Sequence, residues 1–63
     1  MLNKIDINNL PLVLKVEDLM PILSIGRNTA YELVRSGRIR SFRVGRLFRI
    51  SREAVEEFLR NQS

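Results

Sequence analysis

Ser41–Ile50 reads SFRVGRLFRI. Apolar residues stand on either side of Gly45, the pattern of two short strands joined by a turn, and arginines occupy positions 43, 46 and 49. The register of this hairpin decides what the arginines face. A two-residue loop at Gly45-Arg46 pairs Arg43 with Phe48 and Phe42 with Arg49, which mixes arginine into both faces. A three-residue loop with glycine in left-handed geometry instead gathers Phe42, Phe48 and Ile50 on one side, with Ser41, Arg43, Leu47 and Arg49 on the other. The second arrangement separates core from charge. It predicts Phe42, Phe48 and Ile50 inside, Arg43 and Arg49 facing away, and Arg46 near the tip. Arg40 has the inner parity but lies near the strand's start, where its head can reach solvent.

Downstream of the hairpin, Ser51 is a good N-cap and Glu53 falls in the first turn of a helix running to Arg60. Ala54, Val55, Phe58 and Leu59 form its apolar stripe, and Glu53, Glu56 and Glu57 face elsewhere. Upstream, RNTAYELVR follows Gly26, a candidate N-cap, and is stopped by Ser36-Gly37, with Gly37 free to adopt left-handed geometry. Ala30, Leu33 and Val34 share one face of that helix, and Arg35 lies in its last turn.

The turn Ser24-Ile25-Gly26 separates it from an earlier helix over Val16–Leu23, whose Leu19, Met20, Ile22 and Leu23 recur at helical spacing. Pro21 removes a donor there, so the helix is expected either to kink or to start late. Leu12-Val13-Leu14 reads as a short strand that needs a partner. The division is therefore a flexible N-terminal arm over 1–11, a folded domain over 12–60, and a frayed end over 61–63. Short strand, helix, turn, helix, hairpin and helix in that order describe an α+β fold: a small winged helix-turn-helix with three short helices, a β-hairpin wing and a short N-terminal strand.

Composition narrows the function. The chain has 63 residues, with no Cys and no His. A disulfide is impossible and the usual zinc ligands are missing, so no metal or other cofactor is expected. A chain of this size buries only about 60% of the surface its unfolded form exposes, and aliphatic residues must supply most of the core. The serines have no imidazole partner and there is no Gly-rich phosphate loop, so an enzyme is not expected. No apolar run approaches a membrane span, and the N-terminus lacks the apolar block of a signal peptide, which points to a cytoplasmic protein without membrane association.

The net charge is +4, unevenly spread. Between Arg27 and Arg52 there are eight arginines and one acid, Glu32, a local net of +7; the remainder has three basic and six acidic residues, a net of −3. Such asymmetry points to a polyanionic partner. Nine Arg against two Lys favours bidentate contacts to phosphate and guanine over simple solvation.

With these elements in place, LKVEDLMPILSIGRNTAYELVRSGRIRSFRVGRLFRISREAVEEFL, residues 14–59, resembles the excisionase-type DNA-binding domain, related to the N-terminal domains of mercury-resistance-regulator (MerR) proteins. The resemblance rests on VEDL for the first helix, IGRNTAYELVRSGRI for the turn and second helix, FRVGRLFRI for the wing and SREAVEEFL for the last helix. Pro21, and Ala30 where many relatives carry a larger aliphatic residue, depart from the family pattern. Members are small proteins of phages and mobile elements. They bind DNA at an element's end, bend it and help a separate integrase excise the element; others regulate transcription. The resemblance implies that the second helix enters the major groove and the wing touches the flanking minor groove or backbone. MerR regulators continue into a long dimerisation helix and an effector domain, so a chain stopping at residue 63 is expected to lack effector sensing.

On that docking geometry, Arg27, Asn28 and Thr29 open the second helix toward the major groove, where Arg can bridge guanine O6 and N7 and Asn can bridge adenine N6 and N7. Tyr31 either donates to a phosphate or is an amphipathic core-edge residue with a wet tip. Glu32 is expected to pair with Arg35 at i, i+3 or to cap local charge rather than to read cytosine. Arg35 and Arg38 are expected to reach phosphates, Arg46 to enter the minor groove, and Arg43 and Arg49 to flank it. The implied partners are double-stranded DNA, an integrase of the tyrosine or serine type, and further copies of the chain bound cooperatively on adjacent sites. The alternative is a small winged-helix transcriptional regulator of a phage or mobile element. RNA binding would call for stacking aromatics on an exposed sheet, against which the core parity of Phe42 and Phe48 counts. A protein adaptor using the acidic last helix is compatible with DNA binding.

Overall fold

The computed structural model describes residues 7–61; the first six residues of the expected arm and the last two of the expected frayed end lie outside the described residues. After a single 3-10 turn at Ile7–Asn9, strand β1 (Val13–Leu14) leads into a second 3-10 turn at Val16–Asp18 and helix α1 (Leu19–Leu23). Helix α2 (Arg27–Arg35) follows, then strands β2 (Phe42–Val44) and β3 (Leu47–Ser51), and helix α3 (Arg52–Arg60).

Pro21 explains why α1 starts late. The segment first makes a 3-10 turn, closed by the Lys15 N–H donating to Asp18 Oδ2 at 2.9 Å, and only then becomes α-helical at Leu19. Pro21 is thereby the third helical residue, where a backbone N–H has no intrahelical partner to lose. The helix ends at Ser24, in the left-handed region at φ 56°. The Ile25 N–H reaches back to the Met20 carbonyl at 3.0 Å, which makes the turn tight. α2 has the expected bounds: Gly26 is extended at its N-cap, and Gly37 takes φ 84° just past its end. Ser51 caps α3 as expected, its hydroxyl accepting from the Ala54 N–H at 3.0 Å.

The sheet is antiparallel with β3 in the centre, in the order β1-β3-β2. β1 and β3 set the core face through Leu14 opposite Ile50, both almost fully buried. Onto this face pack Val16, Leu19, Ala30, Leu33, Val34, Ile39, Ala54 and Val55. The core is aliphatic: Phe48 and Phe58 are only partly buried at its edge. Leu59, expected on the apolar stripe of α3, lies at its exposed margin.

The hairpin corrects the sequence reading. Its loop has two residues, Gly45 and Arg46, and the register pairs Phe42 with Arg49, Arg43 with Phe48 and Val44 with Leu47. Phe42, Val44, Leu47 and Arg49 therefore share the outer face, while Arg43 shares the inner one with Phe48 and Ile50. Phe42 is not in the core; it is 44% exposed. Two causes act together. Gly45 has φ 64° and Arg46 is not in the positive-φ region, the pattern of a type II′ hairpin turn with glycine first. And the buried side chain from this stretch is Ile39, 1% exposed, held by its N–H bonding the Leu33 carbonyl at 3.1 Å. With that position filled, β2 is free to run out as an edge strand.

Two ties fasten α3 to the rest. Arg40 bonds Glu57 (Nη2 to Oε1 2.7 Å), linking the connection before β2 to the helix. Arg52 donates from Nη1 to the carbonyls of Leu10 at 3.0 Å and Asn8 at 3.4 Å, so one of the eight clustered arginines holds the N-terminal segment. No helix among the described residues is long and apolar enough to cross a membrane.

Candidate nucleic-acid interface

α2 buries Ala30, Leu33 and Val34, which turns the rest of its surface outward. Arg27, Tyr31 and Arg35, spaced i, i+4 and i+8, form one stripe along its side. Arg27, Asn28 and Thr29 occupy its first turn and are exposed. Glycine at the N-cap supplies no side-chain partner to the first-turn N–H groups, which stay open to an anion at the positive end of the helix.

The stripe is organised by a residue that sequence reading passed over. Glu17 Oε2 accepts a hydrogen bond from the Tyr31 hydroxyl at 2.9 Å and lies 3.4 Å from Arg27 Nη2. Tyr31 thus points its hydroxyl at a carboxylate in the free protein. A backbone hydrogen bond of Glu17 itself, then the Tyr31 hydroxyl, and then the charges of Arg27 and Lys15 hold the Glu17 carboxyl below its usual range. The same hydrogen bond, with some burial, pushes the Tyr31 phenol up. Arg35 lays its guanidinium by the Tyr31 ring, 6.0 Å from the centroid, and forms no ion pair with Glu32, contrary to the expected i, i+3 pairing.

The wing stands beside this helix. Tyr31 and Arg35 of α2, Arg46 at the hairpin turn and Arg49 of β3 line one depression, with Lys15 and Glu17 at its wall. Arg49 is braced by its Nη1 donating to the Phe48 carbonyl at 2.8 Å. Arg43 stacks its guanidinium on the Phe48 ring, 4.3 Å from the centroid. The fold therefore gathers Tyr31, Arg35, Arg46 and Arg49 between α2 and the wing, with Arg27 joined through Glu17 and Arg43 through Phe48. Arg38 goes elsewhere. It lines a separate depression with Arg40 and Glu57 beside α3. Among the described residues no cluster of acidic side chains could hold a metal ion.

Glu17 was hard to find from sequence because it acts across ten residues to Arg27 and fourteen to Tyr31. Its only sequence signal is an acid just ahead of a strongly basic stretch. Phe42 stands alone as an exposed aromatic on the sheet, short of the two or three that stack bases in RNA-binding sheets.

Two helices joined by a tight turn, the second flanked by a basic hairpin on a three-stranded sheet, define a winged helix-turn-helix protein. A family model described as a helix-turn-helix domain matches residues 13–63. A probable excisionase of Saccharopolyspora erythraea is 46% identical over 46 residues, covering 73% of this chain and 47% of the relative. An excisionase of Streptomyces ambofaciens is 33% identical over 52 residues, covering 82% of this chain and 84% of the relative. The chain spans about half the length of the first of these and most of the second. No solved structure matches it significantly. The chain belongs to the helix-turn-helix domain family, among its excisionase-type members.

Proposed function

We propose that this chain binds double-stranded DNA sequence-specifically at the ends of a mobile element or prophage, bends it, and promotes excision by a separate integrase of the tyrosine or serine type. In this reading residues 12–60 are the DNA-binding unit, and the protein works in the cytoplasm without cofactor or catalytic chemistry of its own. The observation that carries it is the meeting of Arg35, Arg46 and Arg49 in one depression between α2 and the wing. A helix and a hairpin tip carrying fixed positive charge at that separation suit the major groove and the adjacent minor groove of one duplex.

Each residue then has a task. Arg27 and Asn28 read base edges, with Thr29 beside them. Arg35, Arg43 and Arg49 hold phosphates, and Arg46 enters the minor groove where its negative potential is deepest. Arg38, on the α3 side, is a contact to the outlying backbone. Several copies bind adjacent sites cooperatively, because one small domain covers little DNA. The names of the two relatives support excision over the alternative of a transcriptional regulator built on the same fold.

Footprinting on the ends of the element that carries the gene, with and without its integrase, tests the reading. Protection at one end, a shift in the mobility of circularly permuted fragments, and an integrase footprint strengthened by the chain are expected. Protection confined to a promoter, with integrase unaffected, would assign the regulator role instead.

A further inference from the structure

Glu17 is an acid on a strongly basic side of the molecule. It shares the wall of the depression between α2 and the wing with Lys15, Arg35, Arg46 and Arg49. A carboxylate placed there opposes the approach of phosphates, so it lowers the affinity for DNA of any sequence. What it offers in return is order. Arg27 is long and its side chain is 60% exposed, and an exposed ion pair alone would hold it weakly. Glu17, however, is itself fixed, because the half-buried Tyr31 hydroxyl donates to the same Oε2 that faces Arg27. One guanidinium nitrogen is thereby occupied. The others stay free at the mouth of α2 for a bidentate contact.

We infer that Glu17 is a specificity-determining residue of the DNA interface: with Tyr31 it positions the Arg27 guanidinium for base reading and penalises registers that bring a phosphate to that place. The inference rests on the reading that α2 enters the major groove. Fixing Arg27 before binding removes a rotamer cost that would otherwise be paid on the correct site. The repulsive charge weakens the wrong sites more than the right one, which is how discrimination is commonly built.

The test compares a duplex selected by the wild-type chain from a random pool with a scrambled duplex of equal length, by fluorescence anisotropy. The proteins are wild type, Glu17→Ala, Tyr31→Phe, Arg27→Ala and the Glu17→Ala/Arg27→Ala pair, with circular dichroism melts confirming that each is folded. Glu17→Ala is expected to tighten binding to the scrambled duplex and to lower the ratio of selected to scrambled affinity by about five- to a hundredfold, the discrimination of one bidentate base contact. Tyr31→Phe lowers the same ratio although the carboxylate remains. In the Arg27→Ala background, Glu17→Ala lowers the ratio by less than it does in the wild type, because only the repulsion of wrongly placed phosphates is left to lose. If Glu17→Ala tightens both duplexes by the same factor, Glu17 is a bystander charge and the inference falls while DNA binding stands. If the random pool yields no selected duplex, the DNA-binding reading falls first and the inference with it.

Discussion

The Arg43 guanidinium lies 4.3 Å from the centroid of the Phe48 ring, directly across the β2–β3 ladder. Cross-strand partners point the same way, so this pair fixes the register of the wing and places an arginine on the sheet's inner face. The contact gives the guanidinium an apolar rest while its rim stays available to solvent or phosphate. A single side chain thus joins the packing of the wing to its charge.

The register can be tested by stability. Ile50 is fully buried and Phe42 is half exposed on the opposite face. Ile50→Ala should cost about 2–5 kcal/mol, a large part of what so small a domain has. Phe42→Ser should cost less than about 1 kcal/mol, near the range of surface substitutions. Urea denaturation followed by circular dichroism separates them; equal large losses would restore Phe42 to the core.

The turn makes its own demand. Gly45 holds φ 64° with open space where a Cβ would stand, so an alanine there meets backbone strain and no steric clash. Gly45→Ala should destabilise by about 1–3 kcal/mol and broaden the wing resonances, with α2 and α3 unaffected. The heteronuclear NMR spectrum with a thermal melt checks both parts.

Stability should depend on pH through Glu17 and Tyr31. The Glu17 carboxyl is held below its usual 4.5, so its contribution is fully present above that value and is lost as pH falls through the lower folded value. The Tyr31 hydroxyl is raised above its usual 10.0, so its contribution is present below that value and is lost as pH rises through the higher folded one. Melting temperature should therefore drop at both extremes. Glu17→Gln should flatten the acid limb and Tyr31→Phe the alkaline one, as read by melts across the pH range.

Much of this fold was legible because local chemistry and tertiary structure agree in it. Gly26, Gly37 and Ser51 mark helix ends by their own conformational or capping preferences, and the helices run between them as expected. Pro21 left open a kink or a late start, and the missing N–H is harmless only at a helix start. The hairpin register was misread because apolar character was given priority over loop chemistry. Phe42 looks like core, but Gly-Arg is a two-residue turn, and Ile39, hidden between two arginines, already fills the interior. The arginines of the candidate site were visible as charge. Their grouping was not: Arg38 turns to the α3 side, Arg52 holds the N-terminal segment, and Glu17 joins Arg27 from a different element.

Salt dependence probes the wing. Arg46→Ala should reduce the slope of log affinity against log salt by about one and weaken sites with A·T-rich flanks most. Arg60→Ala, at the far end of α3, should change the slope less. Anisotropy titrations at several salt concentrations give both slopes, and equal changes would remove the wing from the interface.

Titration of the labelled chain with its selected duplex, followed by NMR, tests the central claim most directly. The account predicts that the largest shift changes fall on Arg27–Arg35 of α2 and on Arg43–Arg49 of the wing, with Glu53 and Glu56 of α3 unmoved. Shift changes centred on α3, or a spectrum unchanged by duplex DNA, would contradict it.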